Sequence, residues 1–66
     1  MARSSDAALE SLLARARAKL DEAGEEDRAE IIDLIEAIHT ARGDGDAAAL
    51  ETARGQLQDL LFYLGT

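Results

Sequence analysis

Residues 26–42 read EDRAEIIDLIEAIHTAR, and their spacing decides the fold. Ile31, Leu34, Ile35, Ile38 and Ala41 recur at steps of three and four, which lays them along one stripe of a 3.6-residue helix. Ile32 widens that stripe on one side, as suits a helix with neighbours on two sides. Glu26, Glu30, Asp33, Glu36 and Thr40 fall on the other face and belong in water. Glu25, Glu26 and Asp27 crowd the start, where the helix dipole favours negative charge, and His39 and Arg42 sit near the end, where it favours positive charge. Gly43 is then expected to stop the helix. Every isoleucine of the chain lies in this one segment, so the pattern also overrides the strand preference of β-branched residues.

Two further helices are predicted on either side of this segment. Towards the N-terminus, Leu9, Leu12, Leu13, Ala16, Leu20 and Ala23 repeat the same spacing over about residues 6–23. Ser4, Ser5 and Asp6 offer acceptors for its first-turn amides, and Gly24 is expected to close it in the left-handed conformation. Residues 1–5 are expected to be disordered. Towards the C-terminus, Leu50, Ala53, Leu57, Leu60, Leu61 and Leu64 form a stripe over about residues 47–64. Asp44-Gly45 supplies the turn before it and Asp46 its N-cap. Gly55 is an irregularity there, since glycine in mid-helix costs about 1 kcal/mol against alanine. Helices of about 17 residues would each span about 26 Å, and their short connections call for antiparallel neighbours. The predicted fold is all-α: a single-domain, antiparallel up-down-up three-helix bundle over residues 1–66. Its expected core is Leu9, Leu13, Leu20, Ile31, Ile35, Ile38, Leu50, Leu57 and Leu60.

Composition narrows the function classes. At 66 residues the chain hides only about 60% of the surface its unfolded form exposes. So small a domain leans on disulfides, metal, association or regular helix packing. Cysteine is absent, which closes the disulfide route, and the lone His39 cannot anchor a zinc cluster. A formal charge of −7 repels phosphate backbones and anionic lipid heads, so neither nucleic acid nor membrane is expected as a partner. No apolar run approaches the roughly 20 residues needed to span a bilayer, and the first residues lack the apolar core of a signal peptide. A cytoplasmic location is expected.

No group of residues promises catalysis. Asp44-Gly45-Asp46 with Glu51 lacks the alternating oxygen ligands and spacing of a calcium loop, and turn and cap roles already explain it. Gly43 and Gly45 stand beside aspartates that would repel a phosphate, so no nucleotide site is expected. His39 lies at the stripe's edge with no nucleophile in evidence. Glu26 and Glu30 share a face without large apolar residues and should be solvated, whereas paired acids need burial to divide their pKa values. Arg17 with Asp21 and Glu51 with Arg54 have the spacing of weak surface ion pairs. The expected catalytic, cofactor and metal residues are therefore none, and no small-molecule ligand is expected.

One feature points outward. At about 100° per residue, Phe62 turns away from the Leu50–Leu57–Leu64 stripe, and the small residues Ala48 and Gly55 share its face at heptad spacing. With Tyr63 at its flank, this strip is the candidate packing or partner face.

Three runs carry a family resemblance: EEDRAEIIDLIEAI (25–38), GDGDAAALETA (43–53) and LQDLLFYL (57–64). In their order, and with the acidic-Arg-Ala-Glu helix start and Gly-Asp turn, the chain from about Leu12 to Leu64 resembles the C-terminal helical lid of DnaK-type heat-shock chaperones. The resemblance implies a subdomain that closes over a β-sandwich domain holding an unfolded apolar peptide, while a separate nucleotide domain hydrolyses ATP. It assigns no ATP-binding or peptide-binding residue to this chain. The short last helix, without the acidic tail of eukaryotic members, implies a diverged bacterial member. The partner would then be the rest of a parent chaperone. A free-standing helical interaction or oligomerisation module, pairing with itself or another protein, is the alternative.

Overall fold

The isoleucine segment forms the longest of three helices. A computed structural model of the chain describes residues 3–65, with side chains from residue 7 onward. Its elements in order are α1 (Arg3–Leu20), α2 (Glu25–Asp44) and α3 (Ala47–Tyr63). Their mutual direction follows from cross-helix neighbours. Arg42, in the last turn of α2, donates from Nη1 to Glu10 Oε2 of α1 at 3.1 Å, so α1 and α2 run antiparallel. Glu30, Asp33 and Leu34 share a groove with Gln56 and Leu60, which sets the first half of α2 beside the second half of α3. Ala8 lies near Leu50, Glu51 and Arg54, so α1 and α3 start side by side. The chain is an up-down-up bundle, with α2 and α3 the most closely packed pair.

The core lies where the three stripes meet. Leu9, Leu12, Leu13 and Ala16 come from α1, Ile31, Ile38 and Ala41 from α2, and Ala53, Leu57 and Leu61 from α3. Burial of each large side chain contributes about 1.5–3 kcal/mol. The periodicity places all three stripes, but the expected core list is corrected at its edges. Leu20, Ile35, Leu50 and Leu60 are only partly buried, and Leu12 and Leu61 take the central positions. Leu20 and Leu50 stand on their stripes but in the last turn of α1 and the first of α3, where the bundle ends. Ile35 and Leu60 turn roughly 60° or more from the core direction and are covered on one side alone. Ile32 is a clearer departure. Its position is one step of about 100° beyond Ile31, past the reach of α1, and it stays 39% exposed. The expected solvent face of α2 (Glu26, Glu30, Asp33, Glu36 and Thr40) is exposed throughout.

The helix ends differ from the sequence expectations in a consistent way. Gly24 does not close α1: its φ of −71° and ψ of 173° are extended, and it occupies the N-cap position of α2. The first helix ends at Leu20, and the turn after it is held by ordinary backbone bonds, such as Ala23 N–H to the Lys19 carbonyl at 2.9 Å. Gly43 does not stop α2 either. The helix continues to Asp44, and Gly45 takes the left-handed conformation (φ 69°, ψ 25°). From there Gly45 N–H reaches the Arg42 carbonyl at 3.2 Å and Asp46 N–H the Ala41 carbonyl at 2.9 Å, the paired bonds of a Schellman cap. Asp46 then serves as the expected N-cap of α3, its Oδ1 accepting from Ala49 N–H at 3.1 Å. At the other extreme, α1 is already helical at Arg3, where disorder was expected through Ser5. Ser4, Ser5 and Asp6 are therefore inside the helix, and capping by their side chains lies outside the described residues, as do Met1 and Ala2.

Candidate functional site

The outer face of α3 has the feature the sequence singled out. Phe62 is 83% exposed and Tyr63 82%, although they are the next two residues after the buried Leu61. The reason is angular: Leu57 and Leu61 fix which side of α3 meets the core, and Phe62 falls nearly opposite. Ala48, exposed, and Gly55, partly buried, precede Phe62 at heptad steps along a strip about 21 Å long. A Cβ built on Gly55 meets no heavy atom within 4 Å, so nothing inside the bundle requires glycine there. Tyr63 diverges from the strip by about 100° and turns towards the α2 side of the helix.

A charge-balanced pair borders the strip. Arg54 Nη2 donates to Glu51 Oε1 at 2.7 Å and Arg54 Nε to Glu51 Oε2 at 3.3 Å. That two-pronged hydrogen bond, with the charge behind it, holds the Glu51 carboxyl below its usual value and the Arg54 guanidinium above its own. The pair expected between Arg17 and Asp21 does not form. The ion pairs among the described residues are Glu51–Arg54, Glu10–Arg42 and a looser Lys19–Glu22 contact at 3.5 Å. Exposed pairs of this kind typically contribute less than about 1 kcal/mol.

The remaining candidates are spread over the surface. His39 is exposed on α2, and Glu26 and Glu30 are exposed near its start. Asp46 spends its carboxylate on the α3 cap. Among the described residues no polar or charged side chain is buried, and no group of three or more His, Cys, Asp or Glu is placed to hold a metal ion. No helix among them is long and apolar enough to cross a membrane. Two of the depressions among the described residues are about 300 Å³ or larger. One, at the end where α2 gives way to α3, is lined by Leu9, Ala41, Arg42, Gly45, Asp46, Ala47 and Leu50. The other, of about 370 Å³, is the α2–α3 groove of Glu30, Asp33, Leu34, Gln56 and Leu60. Sequence reasoning missed this groove, because it exists only once two helices are paired. Its one trace in the sequence is the placement of Leu34 and Leu60 at the edges of their stripes. Comparison of the chain with protein-family models, with curated proteins and with solved structures yields no match.

Proposed function

We propose that the chain acts by contact alone, as the helical lid subdomain of a DnaK-type chaperone, and that it carries no catalytic machinery of its own. The observation that supports contact as its mode of action is the 83% exposure of Phe62 at the end of the Ala48–Gly55 strip on α3. An aromatic side chain is a strong anchor when a partner covers it, and its own bundle does not. The lid assignment rests on the resemblance of residues 12–64, with the Gly-Asp turn at the α2–α3 junction and the LQDLLFYL run on the last helix. The partner in this reading is the rest of the parent chaperone, and closure over bound unfolded polypeptide is the outcome.

A free-standing interaction or oligomerisation module would use the same face. The coding frame around the chain separates the two: several hundred residues upstream favour the lid, and an in-frame stop favours the module. The functional test is the release of a labelled apolar peptide from the parent protein, with and without the segment 3–65. Faster release on deletion is expected, because a lid slows dissociation. Unchanged release would overturn the lid reading.

A further inference from the structure

The groove between α2 and α3 combines an apolar floor with an acidic rim. Leu34 and Leu60, both partly buried, supply the floor, and exposed Glu30, Asp33 and Gln56 stand at its edges. Tyr63 lies two turns beyond Gln56 on α3 and is 82% exposed, which extends the apolar surface towards the end of the bundle. The charge of the molecule is concentrated around it. Residues 19–33 and 57–65, which meet at this end, carry eight carboxylates against Lys19 and Arg28, a local charge of −6 out of −7 overall. The remaining residues carry six carboxylates and five arginines and are nearly balanced. Lys19 is already turned towards Glu22, and neither Glu30 nor Asp33 belongs to an ion pair among the described residues.

The geometry points to a docking groove for a basic amphipathic segment of another protein. A large apolar side chain fills the Leu34–Leu60 floor, and lysines or arginines flanking it meet Glu30 and Asp33. Charge complementarity selects this occupant. A second copy meeting it by the same end would set −6 against −6, and its other end is nearly neutral and offers little attraction. An anionic membrane or nucleic acid would be repelled. A cation beside Tyr63 gains further from the ring face. Because these charges are exposed, the attraction fades over a Debye length of about 8 Å at physiological salt, so binding weakens as salt rises. This inference does not depend on the lid reading.

The test titrates the full chain against labelled peptides by fluorescence anisotropy. One peptide carries leucines on one helical face and lysines on the other. A second replaces every leucine by serine, and a third every lysine by glutamate. The leucine–lysine peptide should bind with a Kd on the order of micromolar, and the serine peptide at least about tenfold more weakly, with no binding of the glutamate peptide. The double variant Glu30→Gln, Asp33→Asn should lose about tenfold in affinity and Tyr63→Ser about threefold, while Asp44→Asn at the opposite end should change nothing. All of these side chains are exposed, and unchanged circular dichroism confirms that the fold is intact. Equal binding of the serine peptide would mean unspecific charge attraction and overturn the proposal. So would affinity unmoved by the double variant, or no binding of the leucine–lysine peptide at all.

Discussion

At Gly45 and Gly55 alike, a Cβ would meet no heavy atom within 4 Å, yet alanine at the two positions should shift stability in opposite directions. Gly55 lies within α3, with helical residues on both sides. Glycine there costs about 1 kcal/mol relative to alanine, through the backbone freedom it loses on folding. Gly55→Ala should therefore stabilise the isolated chain by about 1 kcal/mol. Gly45 holds φ 69° and ψ 25°, where the Cβ of an L-residue crowds its own carbonyl at a cost of about 1–2 kcal/mol. Gly45→Ala should destabilise by about that amount. In a domain of this size 1 kcal/mol moves Tm by about 4–8 °C, so the two variants should melt at least about 8 °C apart, on either side of the parent. Thermal unfolding followed by circular dichroism, repeated at several protein concentrations, reads both shifts. A Gly55→Ala chain that melts below the parent when dilute would mean that the α3 face is not open. A Gly45→Ala chain that melts with the parent would remove the left-handed cap.

Ile38→Ala empties a fully buried position and should cost about 2–5 kcal/mol, whereas Ile35→Ala, partly buried, should cost less and Ile32→Ser change little; urea unfolding of the three variants tests the order. Asp46→Ala removes the acceptor for Ala49 N–H and should cost about 1 kcal/mol, seen as a lower urea midpoint with an unchanged slope. Arg54→Gln should return the Glu51 carboxyl to its ordinary value of 4.5 from below it, which an NMR titration follows directly. Since the folded value is the lowered one, the contribution of Glu51 to stability is complete above that ordinary value and is lost as the pH falls through the lowered one. Arg54→Gln should remove that acid dependence.

The bundle was legible in the sequence because each helix repeats its apolar residues at helical spacing, as in Leu9–Leu13–Leu20 or Leu50–Leu57–Leu64. Asp46 was legible as a cap because its short carboxylate stands one residue ahead of a helical run. The choice among Gly24, Gly43 and Gly45 was not legible, since all three are free to turn left-handed. What decides it is where two amides meet the Ala41 and Arg42 carbonyls. Nor did the sequence reveal which edge of α2 would be covered. Ile32 and Ile35 are equivalent as residue types, and their different burial depends on the direction from which α1 approaches. Glu10 and Arg42 stand 32 positions apart, beyond any local pattern. On the candidate site, the outward turn of Phe62 follows from counting around one helix. The α2–α3 groove needs the pairing of two helices and could not be counted.

The bundle completes its core without Phe62, and the proposed function gives that side chain to a partner. The most direct measurement is the peptide-release rate of the intact parent protein carrying Phe62→Ser, with the melting of the isolated chain as its control. The side chain is 83% exposed, so the isolated variant should melt within a few degrees of its parent, as surface substitutions do, within about 0.5 kcal/mol. Under the proposed lid function, the same change in the parent protein should speed peptide release by about fivefold or more, the loss expected of a covered aromatic anchor. Release at the parental rate, with the isolated chain equally unaffected, would contradict the account.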